Sequence, residues 1–128
     1  MDFIFLDSKI VEQLHKMQID NFGGSHGLRD EGMLESALSR PINKAEYGVG
    51  DVCELAAAYV FGLAKNHPFV DGNKRIAIVT AGIFLMENGY MIETDDGKLY
   101  EFVIGIAAGE INEDGITRFL KDHVIALT

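Results

Sequence analysis

Two stretches of this sequence, Leu55–Ala64 and Ile76–Met86, are apolar or small on nearly every side. A helix without a polar face has to be buried. Any fold open to the chain must therefore place two such helices at its centre and sheathe them. Both fall short of the roughly 18–20 apolar residues that span a bilayer, and Thr80 interrupts the second. The flanking segments supply the sheath. Asp7 is placed to cap a helix running to about Asn21, with Ile10, Leu14 and Met17 on one face, Leu6 as a staple, and Gly23-Gly24 as the stop. Asp30 or Glu31 opens a second helix through Leu34 and Leu38 that Pro41 closes. Asp51 caps Val52–Lys65, and Gly89 ends the segment Arg75–Asn88. Thr94 or Asp95 precedes a helix over Lys98–Ala108 ending at Gly109, and Asn112 one over Glu113–Val124. Phe3–Leu6 reads as a short edge strand and Pro41–Gly50 as an exposed loop or small hairpin. The expectation is a mainly α fold, a compact orthogonal or up-down bundle of about six helices around a buried central pair, with one small hairpin at most. No repeat or linker divides residues 1–128, so a single domain is expected.

Composition narrows the function. Hydrophobic residues make up 48% and charged residues 24%, globular rather than disordered values. The net charge of −9 argues against a nucleic-acid binder, because phosphate contacts need Lys and Arg. A lone Cys53 allows neither an intramolecular disulfide nor a CxxC metal site. Met1-Asp2-Phe3 lacks the basic start of a signal peptide, so a cytoplasmic location away from membranes is expected.

The turn between the two apolar segments is the informative part. It reads Asn66-His67-Pro68-Phe69-Val70-Asp71-Gly72-Asn73-Lys74-Arg75. Pro68 ends the first helix near His67, and Phe69 is the one large apolar anchor. Gly72 permits a positive φ or close approach of a ligand, and a helix starts after it. A helix N-terminus carrying Lys74 and Arg75 is an anion site, suited to phosphates. From Lys65 to Arg75 the charge is +2 within an acidic chain, which fits a small anionic ligand better than a nucleic-acid track. Asp71 is placed to hold Mg²⁺ beside such phosphates. His67 is placed to take a proton from a hydroxyl. Base, metal carboxylate, anion hole and cations are the parts that nucleotide-dependent transfer to a hydroxyl requires.

His67 to Arg75 resembles the signature of the Fic/Doc superfamily. Three other segments resemble Doc-type, death-on-curing toxins: Gly23-Gly24 with Gly27-Leu28-Arg29-Asp30, then Leu34–Pro41, then Gly105–Ile111. The resemblance implies a Fic-type bundle of about six helices. It implies His67 as general base toward a Ser or Thr hydroxyl and Asp71 as the Mg²⁺ ligand. Gly72, Asn73 and Lys74 would line the anion hole, Arg75 would pair with phosphate, and Phe69 would be structural. Pro41–Gly50 would be the flap that docks the target.

Adenylylating members usually have Gly in place of Lys74 and a second Arg at the position of Ile78; Doc-type proteins share both departures. In them the nucleotide is thought to lie reversed, so that the γ-phosphoryl group of ATP moves. The implied protein is the toxin of a type II toxin–antitoxin system, an ATP- and Mg²⁺-dependent kinase acting on a translation factor such as elongation factor Tu. The alternatives are a Fic-type adenylyltransferase and a catalytically silent Fic-fold binding module. No inhibitory motif of Ser or Thr, three residues, Glu, then Gly or Asn occurs, so a separate antitoxin of the prevents-host-death type is expected. Glu12 and His15 have the ExxH spacing of a di-iron ligand pair, but a second copy is lacking and no metal is assigned to them.

Overall fold

The computed structural model describes residues 2–127; Met1, included in the reading of the N-terminus, lies outside them. Six helices follow in order: α1 (Ser8–Phe22), α2 (Glu31–Glu46), α3 (Val52–Asn66), α4 (Asn73–Glu87), α5 (Asp96–Ala107) and α6 (Glu113–His123). Two short strands, β1 (Tyr90–Ile92) and β2 (Val124–Ala126), pair antiparallel. The mainly α fold expected from the sequence is present. Aspartates and an asparagine cap the helices where expected: Asp7, Asp30, Asp51, Asp95 and Asn112 each accept a first-turn backbone N–H.

α3 is the axis of the core. From Leu55 to Val60 it is almost completely buried, and it packs against α2, α4 and α6. α4 differs from its expected all-round burial. Ile76, Ala77, Thr80, Ala81, Phe84 and Leu85 are buried, but Ile78 and Val79 are only half-buried and Met86 is exposed. The outer apolar face of α4 is the wall of a cavity. α5 leaves that face open, because its anchor lies elsewhere: Phe102 stacks on Phe119 of α6 at 3.8 Å.

Four local expectations are corrected. On α1 the buried stripe is Val11, His15 and Ile19, whereas Ile10 and Met17 are exposed. The i, i+4, i+8 stripe contains a histidine, which hides it from an apolar count. Phe3–Leu6 forms no strand. The Asn88 side chain takes the place of a partner strand, accepting from Ile4 N–H (2.8 Å) and donating to Ile4 C=O (2.9 Å). Phe3 and Phe5 pack against Phe84. α2 runs through Pro41 to Glu46, so Pro41–Gly50 is neither loop nor hairpin for most of its length. Proline removes one helical N–H, and burial of Pro41 beside Ala37 and Leu38 outweighs that loss. Finally, the small sheet is not a hairpin. It joins the end of α4 to the end of α6, with Met91 opposite Ile125. Strands of three residues leave no periodicity to read.

Candidate functional site

The loop between α3 and α4 is gripped on both sides. At its start His67 takes a left-handed conformation, φ 47°, the one described non-glycine residue with positive φ. Such a backbone costs about 1–3 kcal/mol and persists only where surroundings impose it. Arg29 does so: its Nε donates to His67 C=O (2.7 Å) and its Nη2 to Asn66 C=O (2.9 Å), capping the last carbonyls of α3. The segment 27–30 runs antiparallel to the loop. Arg29 and Asp30 N–H groups donate to Pro68 C=O (2.7 and 3.0 Å), and Val70 N–H donates to Gly27 C=O (3.0 Å). Phe69, 2% exposed, is the expected anchor.

Asn73 holds the other end. Its Oδ1 accepts from Phe69 N–H and its Nδ2 donates to Phe69 C=O, both at 2.9 Å. The side chain is buried, and both its oxygen and its nitrogen are engaged by Phe69. Its backbone N–H is the group that the helix start leaves for a phosphate.

Asp71 is exposed and rigidly aimed. Its Oδ2 accepts from Ser25 N–H (3.0 Å) and its Oδ1 from Gly72 N–H (2.8 Å). Those two bonds, with Arg75 adding attraction, hold its carboxyl below the usual carboxylate range. The approach depends on Gly24, φ 115°, where a Cβ would lie 2.8 Å from Asp71 Oδ2. Asp71 does not cap α4. The N-cap is Gly72, φ 74°, and no side chain caps that helix. The N–H groups of Asn73, Lys74 and Arg75 are thus the unpaired donors of a helix start.

These groups open into a cavity of about 750 Å³ between α4 and α5. His67 and residues Val70 to Arg75, with Ile78 and Val79, line it on the loop and α4 side; Asp96, Leu99, Tyr100 and Val103 line it from α5. All the expected site residues therefore meet in one place. Lys74 and His67 also line a second cavity of about 360 Å³ against α5. The cations divide their work. Lys65 lies over the Phe61 ring at 5.2 Å. Arg75 lies 5.7 Å over Phe22 and donates to Gly23 C=O (3.3 Å), so its guanidinium ties the loop to the end of α1. Among the described residues Lys74 forms no ion pair.

Three contributors are not legible as site residues in the sequence. Arg29 reads only as part of a motif, Tyr100 carries no signal, and His15 reads only as half of an incomplete ExxH pair. His15 is 3% exposed and sits under the loop, stacked on Phe69 at 3.9 Å. Its signal was a polar residue midway between Val11 and Ile19 on a buried stripe.

Comparison with known proteins shows the family. The chain is 33% identical over 109 residues, 84% of its length and 86% of the relative's, to "Protein kinase doc" of Escherichia phage P1. It is 44% identical over 77 residues, 58% of either chain, to "Toxin Doc" of Mycolicibacterium smegmatis. The model of the Fic/DOC family matches residues 5–85, which run from the N-terminal segment to α4 and include the whole loop. Matched by that model over residues 5–85 and by the phage relative over 84% of its length, the chain belongs to the Fic/DOC family.

Proposed function

We propose that this protein is a Doc-type toxin that transfers the γ-phosphoryl group of ATP to a Ser or Thr hydroxyl of a translation factor. Elongation factor Tu is the first candidate target. One observation carries the reading: a single cavity joins an uncapped helix start and Lys74 to His67 and Asp71. The likeness to a relative named as a protein kinase supports it.

The chemistry follows from the residues. The target oxygen bonds to the γ-phosphorus while the bond to the β–γ bridging oxygen breaks. ADP leaves, and the hydroxyl proton passes to the imidazole of His67. The α4 N–H groups and Lys74 face the negative charge spread over the transferring oxygens. Asp71 would hold Mg²⁺, because each carboxylate oxygen accepts one N–H and keeps a lone pair free. Among the described residues no group of three or more His, Cys, Asp or Glu could hold a metal. That suits an ion whose remaining ligands are phosphate oxygens and water. When bound, Mg²⁺ neutralises charge on the phosphates.

The lining of the cavity favours phosphoryl over adenylyl transfer. Ile78 lies on its wall, where adenylylating relatives would present a second arginine. A base can pack there against Val79, Leu99 and Tyr100, about 9 Å along α4 from Asn73. A toxin of this kind needs a separate antitoxin, a prevents-host-death partner folding a tail over the site, and a target in translation sets its action in the cytoplasm.

Intact-mass spectrometry of elongation factor Tu after incubation with the protein, ATP and Mg²⁺ tests the reading, with His67→Ala as control. A phosphoryl increment absent from the control is expected. An adenylyl increment would overturn the direction of transfer. No increment on any translation factor would leave a silent binding module.

A further inference from the structure

The Asp71–Gly72 peptide is held at both ends. A trans peptide points its C=O and N–H in opposite directions. The Gly72 N–H donates to Asp71 Oδ1 (2.8 Å) on the solvent side. On the opposite side, Asp71 C=O lies 2.7 Å from Nε2 of His15. A carbonyl oxygen only accepts, so Nε2 carries the hydrogen and donates. His15 is buried on α1, where an imidazole without a hydrogen bond would be costly. Its ring is kept in plane by Phe69, 8° from parallel. Ile19 completes the floor, within 3.4 Å of where a Gly72 Cβ would stand.

Gly72 is also the residue that makes a flip of this peptide sterically available, since glycine accepts φ of either sign. A flip would turn the carbonyl oxygen toward the side that now presents N–H groups. It would release Asp71 from Gly72 and set a negative dipole against incoming phosphates. We propose that His15 is a positioning residue of the transfer site. Its Nε2–H locks the Asp71–Gly72 peptide, and that lock aims the Asp71 carboxylate. The effect on ligand binding rests on the reading of the site as a Mg²⁺·ATP site; the lock itself does not.

Two measurements separate the claims. Amide hydrogen exchange by NMR reads the lock in the protein alone. Calorimetric titration with Mg²⁺ and the imido analogue of ATP reads its consequence. In His15→Leu, exchange at Gly72 and Ser25 should accelerate about tenfold, the worth of one lost hydrogen bond. Val70, bonded to Gly27, should hardly change. Affinity for the Mg²⁺ analogue complex should fall about tenfold as well. His15→Gln, whose amide nitrogen reaches the place of Nε2, should restore both. Unchanged exchange at Gly72 in His15→Leu overturns the proposal, and so does an equal acceleration at Val70, which would mark His15 as ordinary core. If His15→Leu does not fold, His15→Gln and the shorter His15→Asn decide: protection of Gly72 in the first alone is expected, and equal behaviour overturns it. If wild type binds no nucleotide analogue while the exchange result holds, the kinase reading fails and the lock stands.

Discussion

Asn73→Ala separates a structural role from a ligand role at a position that the family resemblance assigns to the phosphate site. The substitution removes two hydrogen bonds of 2.9 Å to the main chain of Phe69. Phe69 is 2% exposed and Asn73 8%, so the freed N–H and C=O meet little water. Each buried group left without a partner costs about 1–3 kcal/mol. Partial hydration at the loop edge trims the sum to about 2–4 kcal/mol, a large part of the roughly 5–15 kcal/mol available to a domain. With a urea m-value of about 1.5 kcal/mol/M, the unfolding midpoint should fall by about 1.3–2.7 M. Urea titration followed by far-UV circular dichroism gives the midpoint, and calorimetry with the Mg²⁺ ATP-analogue complex gives affinity on the folded variant. The backbone N–H of residue 73 survives the change, so affinity should fall less than for Lys74→Ala. A midpoint shift below about 0.3 M together with lost nucleotide binding would refute the clasp and make the Asn73 side chain a phosphate ligand.

Three further outcomes are expected. Gly24→Ala places a Cβ 2.8 Å from Asp71 Oδ2 and 3.0 Å from Ile19 Cδ1 at φ 115°. It should cost about 1–3 kcal/mol in thermal or urea melts and raise the Mg²⁺ concentration needed for activity. Burial pushes the Tyr59 hydroxyl up to about 12, against an ordinary 10.0. Between those values the unfolded chain releases a proton that the folded chain keeps, so stability is full below 10 and falls as pH rises, by about 2–3 kcal/mol in all. Tyr59→Phe should flatten that alkaline slope in urea midpoints, while losing the acceptor for Leu6 N–H at neutral pH. Burial alone would raise the Glu113 carboxyl, but Arg40 and Lys44 outweigh it and the net direction is down. Its contribution is therefore present above the ordinary 4.5 and is lost as pH falls below that value. Glu113→Gln should destabilise by about 1–2 kcal/mol at neutral pH, given 17% exposure of the side chain, and should weaken the acid dependence of the melting temperature.

Much of this molecule is readable along one dimension. Two segments without a polar face dictate two central helices. Capping residues such as Asp51 and Asn112 mark helix starts because the bonds they make reach only two or three residues ahead. The proposed site residues His67, Asp71, Gly72 and Lys74 are found together for the same reason, being parts of one turn. Other properties depend on partners distant in sequence. Pro41 stays inside α2 because burial there outweighs a missing hydrogen bond. Phe3–Leu6 is clasped by Asn88, 84 residues from Ile4. Arg29 holds His67 in a left-handed conformation across 38 residues, and His15 reaches Asp71 across 56. A local motif states which groups a turn possesses. Where a carboxylate points, which amides stay free and which apolar face borders a cavity are set by packing of α1, the 27–30 segment and α5, because hydrogen bonds and close packing act over a few ångströms in space.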